Sequence, residues 1–165
     1  MEKRVQTKET LPQFDTREFR NCLGHFATGI TVVTCQSGRV KHGITVNSFT
    51  SVSLDPPLVL VSIDRRAKSC QLLKDNNFVV NVLKKNQWSL AMHFAGRPND
   101  SLSIKWEEGR TGPRLADCLA YIECRPWRSY DGGDHVLYLG EVIHFASNEG
   151  DPVLYYRGKF RHLSQ

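Results

Sequence analysis

Five hydroxyls and one amide are set among apolar side chains along Thr45-Val46-Asn47-Ser48-Phe49-Thr50-Ser51-Val52-Ser53. In a buried strand each such group without a partner would cost about 1–3 kcal/mol. Either turns and outward-facing positions absorb them, or they border a ligand with a polar edge, such as a pyrimidinedione ring. Lys68-Ser69 stands at the expected start of a short helix. Backbone N–H groups and a cation there suit a phosphate, although a solvated helix start reads the same way. His135 follows the turn Tyr130-Asp131-Gly132-Gly133-Asp134. It either pairs with Asp134 or is lifted over the turn toward a ligand. The chemistry open to these residues is holding and orienting.

Other chemistries find no footing. No Gly-x-Gly occurs, so the usual dinucleotide fingerprint is missing. Gly24 and Gly29 have P-loop spacing, but Ile30-Thr31 replaces the required Lys-Ser/Thr. The cysteines at 22, 35, 70, 118 and 124 form no Cys-x-x-Cys, and no two histidines stand in a metal-binding pair. Reduced thiols used as small buried hydrophobes are expected, with no protein-built metal site. A net charge of +5 suits anionic small molecules as well as nucleic acid. Nucleic acid would want a denser basic stripe with interleaved aromatics. The longest apolar stretch, around Leu58-Val59-Leu60-Val61, is far short of the roughly 20 residues of a membrane span. The polar start, Met1 to Thr10, resembles neither a signal nor a transit peptide, so a cytoplasmic protein is expected.

Residues 1–13 read as a flexible arm, and residues 14–165 as a single domain. Asp15 opens a helix, with Glu18 completing a capping box, and Phe19, Cys22, Leu23 and Phe26 form its expected buried face. Ile30 to Cys35 and Val40 to Val46 read as a hairpin about Ser37-Gly38-Arg39. Further strands are expected at Leu58–Ile63, Phe78–Leu83, Leu119–Arg125, His135–Phe145 and Val153–Tyr156. Short helices are expected around Leu72-Leu73 and over Gln87–Phe94. Residues 97–117 are polar and read as a surface excursion. Hairpin-like connections favour a mainly β antiparallel barrel with flanking helices over a doubly wound sheet.

Several segments also carry a resemblance. Phe26-Ala27-Thr28-Gly29-Ile30-Thr31-Val32-Val33-Thr34 resembles the opening signature of the split-barrel FMN-binding flavin reductases. Gly43 to Leu58, Phe94-Ala95-Gly96, Gly133-Asp134-His135, Leu139-Gly140-Glu141-Val142 and Pro152 to Phe160 follow in that family's order. The likeness covers residues 14 to 163 and is nearest to the reductase components of two-component aromatic monooxygenases.

The resemblance implies an antiparallel Greek-key split β-barrel and a homodimer with flavin near the subunit interface. It implies hydride transfer from NADH or NADPH to FAD or FMN, and a flavin-dependent monooxygenase as the functional partner. By it, Thr31, Val32, Thr45, Val46, Asn47 and Ser48 would border the isoalloxazine. Ser51, Val52, Ser53, Ala67, Lys68 and Ser69 would serve the ribityl and phosphate end. Phe94, Ala95 and Gly96 would close the pocket, Tyr156 joins the cofactor contacts, and His135 would reach the nicotinamide. No nucleic acid or membrane partner is implied. A flavin-binding module without turnover, on the same barrel, is the competing reading.

Overall fold

A computed structural model of the chain describes residues 13–163, so the arm expected over residues 1–13 lies almost wholly outside the described residues. Helix α1 (Thr16–Leu23) starts where Asp15 accepts hydrogen bonds from the backbone N–H of Arg17 and Glu18, at 2.8 and 3.3 Å. That is the Asp15 half of the expected capping box. The buried face expected for this helix is not buried. Phe19, Cys22, Leu23 and Phe26 are all exposed, Phe26 at 79 %. The reason is placement: the end of α1 touches the chain through Gly24, whose carbonyl accepts from Arg157 N–H at 2.9 Å. Its flank has no cover.

After β1 (Thr28–Gly29), β2 (Thr31–Ser37) and β3 (Val40–Val46) form the expected hairpin. Then come β4 (Phe49–Leu54), β5 (Pro57–Asp64), α2 (Lys68–Asp75) and β6 (Phe78–Val82). Helix α3 (Trp88–Phe94) leads to β7 (Trp106–Glu108) and β8 (Pro113–Leu115). The long hairpin β9 (Ala120–Gly132) and β10 (His135–Ser147) follows, and β11 (Leu154–Tyr156) with β12 (Lys159–Arg161) ends the described chain.

Seven strands make one antiparallel sheet in the order β3-β2-β6-β9-β10-β5-β4. The β9–β10 hairpin serves two neighbours. Near its open end β9 pairs with β6 (Val82 opposite Ala120), and near its turn β10 pairs with β5 (His135 opposite Asp64). The edge strands β3 and β4 are consecutive in the chain and joined by Asn47-Ser48 alone. Strand β9 runs seven residues past its expected end at Arg125. The extension is exposed, Trp127 and Tyr130 included, and contains Pro126, which a strand tolerates beside the irregularity at Leu139/Gly140.

Strand β2 is buried on both faces. Val33 and Cys35 pack with Val61, Ile63, Phe78 and Leu73 of α2; Val32 packs with Ala91 of α3, Leu115 and Val153. The surface excursion expected over residues 97–117 is therefore corrected in its second half. Pro113, Leu115 and Cys118 are buried against β2 and β6. Buried polar groups draw that hairpin in: Thr34 Oγ1 donates to Pro113 O at 2.6 Å, and Leu115 N–H donates to Asn81 Oδ1 at 2.8 Å. With partners supplied, the backbone there can leave water without penalty.

Candidate functional site

The sheet does not close between β3 and β4, and the polar run read from the sequence lies on that opening. Most of its hydroxyls are engaged within the chain. Thr45 Oγ1 donates to Ala91 O at 2.6 Å and Ser48 Oγ to Ser62 O at 2.7 Å, while from the neighbouring β2 Thr31 Oγ1 donates to Val46 O at 2.9 Å. Thr50 Oγ1 donates to the neighbouring Ser51 O at 3.2 Å. The hydroxyls fix the shape of the opening. Left for a ligand are the outer backbone groups of the edge strands and the exposed Asn47.

Asn47 also borders a groove of about 440 Å³ whose walls include Thr45, Val46, Met92, Ala95, Arg97 and Tyr155. Two of the expected contacts sit elsewhere. Val32 is fully buried in the core, since β2 is covered on both faces. Tyr155, not Tyr156, faces this groove: the alternation of β11 turns Tyr156 toward His25, 6.3 Å away edge-on. Phe94 stays behind the wall, against Gly43 and 6.0 Å from Trp106, while Ala95 reaches the groove. Gly96, at φ 84°, turns the chain out of α3.

Beyond Ser48 the outer face of the sheet carries Ser62 and Asp64 on β5, with His135 directly opposite Asp64. His135 Nδ1 donates to Asp134 Oδ1 at 2.7 Å, which leaves Nε2 facing outward. This bond and the imidazole's charge hold the Asp134 carboxyl below the usual carboxylate range. The turn is pinned rather than loose. Arg65 donates from Nε to Gly133 O at 2.8 Å and from Nη2 to Asp131 Oδ1 at 2.6 Å. Next to it, α2 begins at Ala67 with no side-chain cap and no acidic residue in its first turn. Lys68 there is exposed and Ser69 buried.

The structure does not bring Ser51, Val52 and Ser53 to that helix start. Ser51 lies opposite Val59, five residues back from Asp64, roughly 16 Å along the strand. Ser51 and Ser53 line an apolar cleft of about 310 Å³ with Leu54, Tyr121 and Phe145. Val52 sits at the bulge between them. Asn47, Ser48, Ala67, Lys68, Ser69 and His135 thus share one end of the sheet; Ser51, Val52 and Ser53 occupy the other.

Sequence reasoning missed Met92, Arg97 and Tyr155. Met92 lies three residues after Ser89 on a short helix whose inner face could not be oriented, and Arg97 falls in the polar stretch read as a surface loop. Among the described residues no group of three His, Cys, Asp or Glu could hold a metal ion, and no helix is long and apolar enough to cross a membrane. A phosphorylated flat heterocycle fits what is present: an open sheet edge, an amide at its corner, and an uncapped helix start with a lysine.

Comparison with known proteins points the same way. Residues 23–164 match the family described as flavin reductase like domain. The reductase component of a 4-nitrophenol 4-monooxygenase/4-nitrocatechol 2-monooxygenase from Rhodococcus opacus is 37% identical over 158 residues, 94% of this chain and 85% of that protein. The solved structure of a flavin reductase in its native state superposes with a TM-score of 0.89 at 41% identity, covering 92% of this chain and 100% of the other. An NADH:FAD oxidoreductase from Streptomyces globisporus, solved with NAD and FAD fragments, gives a TM-score of 0.83 at 39% identity over 91% of this chain and 93% of the other.

Proposed function

This chain belongs to the flavin reductase like domain family, and from that premise we propose that it is an NAD(P)H:flavin oxidoreductase, favouring NADH, that supplies reduced FAD or FMN to a partner monooxygenase of the aromatic-hydroxylating type. The observation that carries this reading is the open sheet edge at Asn47-Ser48, with the uncapped start of α2 and His135 at the same end.

The nicotinamide supplies the hydride and the flavin accepts it, so the hard chemistry belongs to the two cofactors. The chain contributes position. Backbone donors at the β3–β4 edge, with Asn47, hold the polar edge of the flat ring, where donors stabilise developing negative charge. Lys68 and the first N–H groups of α2 hold a phosphate. His135, oriented by Asp134, presents Nε2 to the nicotinamide nucleotide. Alignment of two bound rings is worth several kcal/mol of barrier.

The reading extends to a homodimer in the cytoplasm. Leu54 is 94 % exposed and Phe145 70 %, both beside the apolar cleft, and the flank of α1 is uncovered. Apolar surface gathered this way marks an interface.

The test is NADH oxidation by the purified protein, followed by absorbance with and without FAD, FMN or riboflavin. Stimulation by flavin, with oxygen consumption following, is expected. Tightly held flavin that NADH cannot bleach would replace this reading with a binding module.

A further inference from the structure

The turn that carries His135 stands at the tip of a hairpin with little around it. Residues 125–134 are all exposed. Beyond Cys124, β9 no longer has β6 beside it and pairs with β10 alone. Gly132 and Gly133 occupy the turn, Gly133 at φ 76°. Glycines leave a backbone more freedom than any other residue, so a histidine placed by this turn alone would not hold one position.

Arg65, the first residue after β5, removes that freedom. It meets the turn at three points. Its N–H donates to Asp134 O at 3.0 Å, Nε to Gly133 O at 2.8 Å, and Nη2 to Asp131 Oδ1 at 2.6 Å. Asp131 Oδ1 also accepts from Gly133 N–H at 3.0 Å, so guanidinium and turn close on the same carboxylate oxygen. The next residue behaves differently: Arg66 directs its guanidinium to Asp64, at 3.1 and 2.7 Å.

The segment from Asp64 to Ala67 also joins the two ends of the proposed site. Asp64 lies opposite His135 in the ladder, and Ala67 N–H donates to Asp64 O at 3.0 Å. Ala67 then caps α2, where Lys68 begins the helix. One short turn of chain thus carries both the lysine placed at the flavin phosphate and the arginine that grips the histidine's turn.

We infer, on the premise of the proposed function, that Arg65 is a positioning residue for the nicotinamide nucleotide. It ties the His135 turn to the segment that starts α2, so that His135 keeps its place relative to a flavin held there. Arg65 acts through His135 and not on either substrate. Charge alone does not suffice, because a lysine cannot offer two donors in a fixed fork to a carbonyl and a carboxylate.

The experiment compares the wild-type chain with Arg65→Gln, Arg65→Lys, His135→Ala and the double variant Arg65→Gln with His135→Ala. It reads kcat/KM for NADH at saturating flavin, flavin binding without nicotinamide, and amide exchange of Gly133 by NMR. Arg65→Gln is expected to lower kcat/KM for NADH about five- to twentyfold, since small misplacements of a positioning group are costly. Flavin binding stays nearly constant, and Arg65→Lys recovers only a small part of the loss. The Gly133 amide exchanges faster in both single Arg65 variants, because local opening of the turn becomes easier. In the His135→Ala background Arg65→Gln costs nothing further, as residues that act through one another are not additive. Losses that add, full recovery by Arg65→Lys, a parallel loss of flavin binding, or unchanged Gly133 exchange would each overturn the inference. An active wild type with an indifferent Arg65→Gln overturns the inference alone, whereas a wild type that does not oxidise NADH overturns the proposed function and the inference with it.

Discussion

Gly43 lies directly beneath the ring of Phe94: a Cβ on Gly43 would come within 2.6 Å of Phe94 Cδ1 and Cε1. With Thr45 Oγ1 bonded to Ala91 O, this contact seats α3 on β3 at two points, and the end of α3 then presents Met92, Ala95 and Arg97 to the groove. The methyl of Gly43→Ala must push Phe94 outward, and overpacking of this kind costs about 1–3 kcal/mol. The variant is expected to unfold at lower urea concentration and to bind flavin more weakly. Gly43→Ala combined with Phe94→Leu should recover much of both losses. A single variant with unchanged stability and flavin affinity would refute the seating of α3 by this contact.

The cysteines divide by location. Cys22 is exposed, whereas Cys35, Cys70, Cys118 and Cys124 are buried. Burial pushes the Cys35 thiol up to about 11, and those of Cys118 and Cys124 up to about 12. Since the thiolate is the reactive form, these three stay protonated and unreactive at neutral pH. A chromogenic thiol reagent at pH 8 should therefore titrate one cysteine quickly, and the other four only in denaturant. Rapid reaction of a second thiol in the folded protein would contradict the described core.

Much of the strand framework was legible in the sequence, because β2, β3, β5 and β6 are dense in β-branched residues between clear turns. The extension of β9 was not. Arg125 to Gly132 has the composition of a loop and becomes a strand only because β10 lies beside it. The β7–β8 hairpin was hidden for the same kind of reason. Its burial depends on Thr34 and Asn81, distant polar residues whose inward direction no local pattern reveals. At the candidate site, the run from Thr45 to Ser53 was recognised as one unit, but the sheet opening divides it. Asn47 and Ser48 stay at one end while Ser51, Val52 and Ser53 follow β4 to the other. Tyr155 could be told from Tyr156 only with the phase of β11, which its pairing with β1 and β12 sets.

Lys68 offers a test of the phosphate end. It stands at the first position of α2, whose first turn contains no acidic side chain to compete with a bound anion. Lys68→Ala should raise the apparent constant for FMN or FAD about ten- to hundredfold, the range of one charge-assisted contact. Riboflavin, which has no phosphate, should be little affected. An equal loss with riboflavin would mean that the substitution acts on folding or packing instead.

His135 starts β10 opposite Asp64 and is held through Nδ1 by Asp134, while Arg65 pins the turn behind it. Such a histidine is preorganised, with Nε2 left to meet a ligand. His135→Ala should lower kcat/KM for NADH by about one to two powers of ten, because it orients rather than reacts. Flavin affinity should stay nearly constant. Asp134→Asn tests the orienting bond and should give a smaller loss of the same kind. The pH dependence follows from the sign of the shift. The Asp134 carboxyl lies below its ordinary value in the folded chain, first through its bond with His135. Its contribution is then present above about pH 4 and is lost as pH falls through the lowered value. In steady-state assays the penalty of Asp134→Asn should thus be full at pH 7 and shrink only in acid. A His135→Ala variant that loses flavin binding while keeping its NADH constant would put this side chain at the flavin instead of the nicotinamide.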